Sequence, residues 1–129
     1  YIRRITGIDG DRIGVDAPLF HALDAVYGPS YVQKADLSGF LRNVGVDNLT
    51  AVSATSGSPT DPNGREDHPW SMITMNKVID GWARRITARN YAHAAVRTGP
   101  MTRNVTVLRS RFLAPISRTI GRRRYAFHL

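Results

Sequence analysis

The sequence predicts an all-β fold of the parallel β-helix type, a solenoid of a few coils with an N-terminal hairpin and a long loop insertion. Strand signals dominate the chain while helix signals are weak. Short strand-like motifs recur in alternation on a circuit of about twenty residues. Asn and Gly return at the motif edges, where a chain that turns repeatedly needs them.

The elements follow in order. Arg4-Ile5-Thr6-Gly7-Ile8 and Arg12-Ile13-Gly14-Val15 flank Asp9-Gly10-Asp11, and Asp-Gly between β-prone runs signals a hairpin. In APLFHALDAVYG, Leu19, Phe20, Leu23 and Val26 offer a short apolar stripe, with Pro18 placed for a first turn. That stretch reads as one or two helical turns or as an ordered loop. Tyr31-Val32-Gln33 reads as a short strand. Residues 1–37 thus form a hairpin and an irregular segment, and 38–129 form the coils of the same partial domain.

In the coil region, Asn48-Leu49-Thr50-Ala51-Val52, Arg85-Ile86-Thr87-Ala88 and Asn104-Val105-Thr106-Val107 share an apolar-Thr-apolar centre. Leu49 to Ile86 spans 37 positions, and Ile86 to Val105 spans 19. A second series interleaves: Met72-Ile73-Thr74-Met75 and Ala94-Ala95-Val96-Arg97 are offset by 22, and Tyr125-Ala126-Phe127 continues it. Two alternating strand types on a fixed circuit describe a coil whose inward side chains are buried only by stacked neighbours. Asn48, Asn76, Asn90 and Asn104 are expected at left-handed corners, with Gly39, Gly45, Gly81, Gly99 and Gly121 in similar roles. Ser53 to Pro69 is rich in Ser, Thr, Pro, Gly, Asn and Asp and reads as an excursion from the coil. At that length it is a candidate functional loop.

Composition bounds the partners. The chain has 129 residues, 42% hydrophobic and 22% charged, which is a globular balance rather than a disordered one. No run approaches the ~18 apolar residues of a membrane span, so no membrane partner is expected. The absence of cysteine excludes disulfides, thiolate zinc sites and a Cys nucleophile. Net charge is +8, almost all of it from arginine, with only Lys34 and Lys77 as lysines. A basic surface attracts polyanions: nucleic acid, anionic lipid or acidic polysaccharide. No nucleic-acid motif, Ser-His-Asp spacing, P-loop or dinucleotide fingerprint accompanies the charge. Arg85 and Arg89 flank Ile86-Thr87-Ala88, and Arg103 and Arg109 flank Asn104 to Leu108. The arginines therefore read as decoration of the outer walls and corners, their stems covering apolar surface.

RITGIDGDRIGVDAPL, NVGVDNLT, DHPWSMITMNKVIDGWARRITARNY, RNVTVLRSRFLAPIS and GRRRYAFHL, in that order, resemble the right-handed parallel β-helix proteins of the pectate-lyase-like superfamily. The resemblance spans nearly the whole chain. It implies a segment of an extracellular, secreted or periplasmic polysaccharide-active protein, a lyase or glycoside hydrolase acting on acidic glycans. The alternative is a non-catalytic glycan-binding or structural β-helix. A third reading, a small basic nucleic-acid-binding protein, rests on charge alone. Members are much longer, so the chain reads as a fragment, and open coil ends are expected to self-associate.

The resemblance implies two chemistries. Elimination needs a base for the proton α to a uronate carboxylate and positive charge for the enolate, often Arg or Lys and Ca²⁺ in such lyases. Hydrolysis needs two carboxyl groups ~5–9.5 Å apart. Asp67 and His68 close the long loop and are the catalytic candidates, Asp67 orienting His68 or acting as acid or base itself. The competing reading makes Asp67 a turn cap with Trp70 packed beneath the loop. Trp70, Arg97, Arg122, Arg123, Arg124 and His128 are the substrate-binding candidates: an aromatic platform, guanidinium clamps for a uronate, and an imidazole after the last strand. The competing and favoured reading makes Arg122 to Arg124 a solvated corner packed on Tyr125. Asp61, Asn63, Glu66 and Asp67 place oxygens where Ca²⁺ would need six to eight, without a known motif spacing. His93 and Trp82 read as structural.

Overall fold

A computed structural model describes residues 1–61 and 66–129, and the chain divides into two units, Tyr1–Ser38 and Gly39–Leu129. In the first unit, β1 (Ile5–Asp9) and β2 (Arg12–Val15) pair antiparallel, with Asp9 opposite Arg12. Gly10 opens the two-residue turn at φ 56°, a left-handed value that glycine adopts without a Cβ clash. The Arg4 N–H donates to Asp16 Oδ1 at 3.0 Å and closes the open end of the hairpin. The expected hairpin is thus formed. The apolar stripe after Pro18 yields only one 3-10 turn, Ala25–Tyr27, whose start is capped by Asp24 accepting from the Val26 N–H. Tyr31-Val32-Gln33 does not form the expected strand. Tyr31 and Val32 are 84% and 74% exposed, and an isolated three-residue run has no ladder to satisfy its backbone.

Among its described residues the second unit contains ten strands: β3 (Leu41–Arg42), β4 (Gly45–Asp47), β5 (Thr50–Val52), β6 (Ser71–Met75), β7 (Val78–Arg84), β8 (Thr87–Arg89), β9 (Ala94–Thr98), β10 (Arg103–Leu108), β11 (Arg111–Leu113) and β12 (Phe127–His128). They pair only in parallel, in three sheets. β3 and β4 lie on β7, which lies on β10. β5 lies on β8, which lies on β11. β6 lies on β9, which lies on β12. The chain therefore visits the same three sheets in the same order three times. All-β character and parallel strand pairing, both expected, are present.

Each residue stacks on its equivalent one circuit later. Val46, Ala83 and Val107 form one inward file; Ala51, Ala88 and Phe112 form another; Ile73, Val96 and Phe127 form the third. Alternation sets the faces, as in β10, where Val105 and Val107 are half-buried while Asn104, Thr106 and Leu108 are exposed. Small Ala83 and Ala88 in the middle circuit are both fully buried, Ala83 between Val46 and Val107 and Ala88 between Ala51 and Phe112.

The register corrects the expected phase of the repeat. There are three strand types, not two. Arg85-Ile86-Thr87-Ala88 and Asn104 to Val107 lie in different sheets, so the 19-residue interval joins unlike strands. Val105 lies on Gly81 and Arg111 on Thr87, both 24 positions apart, whereas Gly45 lies on Trp82 and Thr50 on Thr87, both 37 apart. Ser71 lies on Ala94, an offset of 23 rather than 22. The first series joins unlike strands because apolar-Thr-apolar is written in more than one sheet.

The same intervals order the corners. Asn43, Asp80 and Asn104 are all left-handed, with φ 52°, 60° and 59°, and they fall on one column. Asn48, Arg85 and Arg109 form a second column, at φ 54°, 52° and 50°. Asn90 and Ala114 pair in a third, and Lys77 and Met101 in a fourth. Backbone bonds stitch each column, as in the Asn48 N–H to Arg84 carbonyl at 3.0 Å and the Arg85 N–H to Leu108 carbonyl at 3.0 Å. The Asn104 amide donates to Asp80 Oδ1 at 2.5 Å within the first column. Asn48, Asn90 and Asn104 match expectation, whereas beside Asn76 the left-handed residue is Lys77. Among the expected corner glycines only Gly39 has positive φ. Gly45 serves close approach instead: a Cβ there would run into the Trp82 ring stacked on it.

Candidate functional site

Every circuit leaves its second sheet and enters its third at the same corner, and there the connections differ. Val52 to Ser71 is long, Arg89 to Ala94 is short, and Leu113 to Phe127 is long. The two long connections meet over the short one. Ser53 starts the first excursion and His68 nearly ends it. The His68 Nε2–H donates to the Ile116 carbonyl at 2.8 Å, because a carbonyl only accepts. His68 Nδ1 and the Ser53 hydroxyl are hydrogen-bonded at 3.1 Å. These bonds draw the neck of the first loop onto the third circuit's insertion. Ser117, fully buried, donates to the Ala92 carbonyl at 3.0 Å, and Arg124 Nη2 donates to the Ser117 carbonyl at 2.6 Å.

Glu66 is the second tie. Arg123 grips both of its carboxylate oxygens, through Nε on Oε1 and through Nη2 on Oε2 at 2.7 Å, while the Arg118 N–H donates to Oε1 at 3.1 Å. The Arg123 hydrogen bond, against a desolvation cost, holds the Glu66 carboxyl down at about 2, with the Arg118 N–H and the charges of both arginines adding to it. Arg123 in turn lies over the Trp70 ring, its Cζ 5.1 Å from the centroid.

Trp70 is the residue before β6, and His93 is the residue before β9. Since Ser71 lies on Ala94, the two rings occupy equivalent positions one circuit apart. They stack with centroids 5.5 Å apart and planes 13° off parallel, and the His93 N–H donates to the Trp70 carbonyl at 2.8 Å. His93 is 2% exposed. Its Nδ1–H donates to the Arg122 carbonyl at 2.7 Å, and its Nε2 faces His128 Nδ1 at 2.9 Å. Tyr125 meets the His93 ring edge-on at 5.7 Å and lies 5.6 Å from the His128 ring. Burial, foremost, lowers the His93 pKa from its usual 6.5, against the Arg122 carbonyl bond that raises it; His128, Arg97 and Arg123 add repulsion.

The expected site residues fall in three groups. Trp70, Arg123 and His128 converge around His93, with Arg122 present through its carbonyl and Arg97 lying on His128 in the β9–β12 pairing. Arg124 points elsewhere, onto the Ser117 carbonyl. His68 has both ring nitrogens engaged in the loop neck, and Asp67 is exposed beside it. Asn63 lies outside the described residues, and no group of three His, Asp or Glu side chains converges as metal ligands among the described residues. Glu66, counted as a Ca²⁺ oxygen donor, belongs instead to the Arg123 pair. Sequence reasoning missed His93 as the hub and Tyr125 as a member. The signal was available: an offset of 23 puts His93 on Trp70, whereas 22 puts it on Ser71.

The assembled surface is a half-buried aromatic stack, an exposed phenol and imidazole, and guanidinium groups at its border. Tyr125 is 48% exposed and His128 is exposed, so these two rings face solvent while Trp70 and His93 support them. Comparison with protein-family models, curated proteins and solved structures gave no match.

Proposed function

We propose that residues 39–129 are three coils of a right-handed parallel β-helix and that the corner before its third sheet binds an acidic polysaccharide. The observation that carries this reading is the ring cluster Trp70–His93–Tyr125–His128 flanked by Arg97 and Arg123. Aromatic faces pack on the apolar faces of sugar rings, and guanidinium groups pair with uronate carboxylates. The fold reading is supported by three ordered visits to three parallel sheets and by the stacked corner columns. Loop excursions at one corner of a stacked repeat are where such architectures build binding faces.

Elimination fits the cluster better than hydrolysis, because its carboxylate, Glu66, is held by Arg123 rather than poised as half of an acid–base pair. In this reading the protein works outside the cytoplasm, where acidic polysaccharides are met. No helix among the described residues is long and apolar enough to cross a membrane.

The test is calorimetric titration of the full chain with oligomers of galacturonate, mannuronate/guluronate and hyaluronate beside neutral glucans. Binding of at least one acidic series, weakened about two- to tenfold by Tyr125→Ala, is expected, since such a ring contact is worth ~0.5–1.5 kcal/mol. Equal binding of neutral and acidic glycans, or none, contradicts it. Tighter binding of an unrelated DNA duplex, falling log-linearly with salt, would instead favour a nucleic-acid surface.

A further inference from the structure

The hairpin of the first unit gathers its apolar residues on one face. On β2, Ile13 and Val15 are two positions apart and share a face. Val15 lies opposite Ile5, and Ile13 lies opposite Ile8. Residues directly opposite in an antiparallel pair also share a face. Ile5, Ile8, Ile13 and Val15 therefore stand together on one side. Ile5 and Ile8 are three positions apart, and plain alternation would part them. Thr6, the extra residue where the register shifts between Ile5 and Gly7, brings them together. The other side carries Gly7 on Gly14 and Asp9 on Arg12. The Asp-Gly signal finds this hairpin in the sequence, but its apolar face depends on that extra residue.

The face is uncovered. Its four residues range from 38% exposed at Val15 to 68% at Ile8. No residue of Tyr1–Ser38 is buried, and the one further regular element of the unit is the 3-10 turn. A two-stranded hairpin without a second layer is marginal in water, and an apolar sheet face is stable only against another element.

We propose that the missing layer is the same face of a second copy, so that the hairpin is a two-fold pairing surface of this chain. Two flat faces of β-branched residues match each other, and sheets pack face to face ~10 Å apart. Charge favours a copy as the occupant. Tyr1–Ser38 holds four basic and five acidic residues, so two such units meet with little repulsion; residues 39–129 hold fourteen basic and five acidic. Charge also sets the direction. Asp9, Asp11 and Arg12 make the turn end of the hairpin net negative, whereas Arg3, Arg4 and Asp16 make its open end net positive. An antiparallel two-fold arrangement sets each turn end beside the open end of the other copy; a parallel one sets like ends together. Ile5 and Val15 of one copy then lie against Ile8 and Ile13 of the other.

The experiment mixes full chain isotope-labelled in its methyl groups with unlabelled full chain and records NMR contacts between copies. Contacts are expected from Ile5 or Val15 of one copy to Ile8 or Ile13 of the other. Ile8→Lys, at the most exposed position of the face, should remove them and weaken association ~10-fold or more, while the resonances of 39–129 keep their places. A second pair of variants leaves the apolar face intact. Asp11→Lys should weaken association at low salt, and adding Arg4→Glu, which exchanges the signs of the two ends, should restore it. Contacts between copies confined to 39–129, the mark of pairing through open coil ends alone, overturn the proposal. So does association undiminished in Ile8→Lys, or a monomer at all concentrations. Asp11→Lys weakening association with no recovery in the double variant overturns the antiparallel arrangement.

Discussion

His93 shows how one buried ring fixes several others. It stacks on Trp70, meets Tyr125 and His128 edge-on and is held by a carbonyl. Its folded pKa is below the unfolded value of 6.5, so the unfolded chain binds more protons near and below that pH. The stability it contributes is present above 6.5 and is lost as pH falls through 6.5 toward the folded value. NMR titration should place His93 below 6.5, and a value above it would mean the ring is not buried as described. Glu66 has the same sign at lower pH. Its carboxyl is held at about 2 against 4.5, so its contribution is present above 4.5 and lost as pH falls from there toward 2. Glu66→Gln should flatten the fall of melting temperature over that interval; an unchanged acid profile would contradict the Arg123 pairing. These residues were only partly legible in the sequence. Trp70, Arg123 and His128 were found because aromatic, guanidinium and imidazole groups announce their chemistry. His93 and Tyr125 were not, because their roles depend on a register that one misplaced residue conceals.

The strands show where that register is encoded. Short strand-like motifs identified β6, β9 and β10, but such motifs are shared by all three sheets and give no circuit length. The corners carry the length, through left-handed residues 24 positions apart in the last two circuits. Asn signals such a corner from sequence, whereas Arg85, Arg109, Lys77, Met101 and Ala114 do not, since their side chains have no preference for it. Ala114, at φ 45°, occupies the column that Asn90 starts. Ala114→Gly should therefore stabilise the fold by ~0.5–1 kcal/mol, the relief of left-handed strain less the entropy glycine loses. Chemical denaturation measures it, and a loss of stability would put the corner elsewhere. Gly45→Ala should cost ~1–3 kcal/mol, because its methyl meets the Trp82 ring. A neutral result would mean that β4 and β7 do not stack as described.

Across residues 39–129, burial is concentrated in the middle circuit. Val78, Ile79, Ala83, Ile86, Ala88, Tyr91, Ala95 and Val96 are buried, whereas Val44, Val46 and Ala51 before them and Val105, Val107 and Phe112 after them are only partly so. A stacked repeat buries its inner file only where a neighbour lies on each side. At this scale we predict pairing between copies through the outer ladders of the first and third circuits: sedimentation should show mass rising with concentration, and a monomer at all concentrations would contradict it. All-β character and parallel pairing were legible because strand and turn residues alternate along the chain on a repeating circuit, whereas the number of sheets was not. The convergence of two loops on one corner was not, since nothing in either loop names the other. That convergence is the basis of the glycan-binding account, and a residue-resolved NMR titration of the full chain with a uronate oligomer tests it most directly. The account predicts saturable shifts centred on Trp70, His93, Arg97, Tyr125 and His128. Saturable shifts centred on the arginine-rich walls at Arg84, Arg85 and Arg109 instead, or no shifts at all, would contradict it.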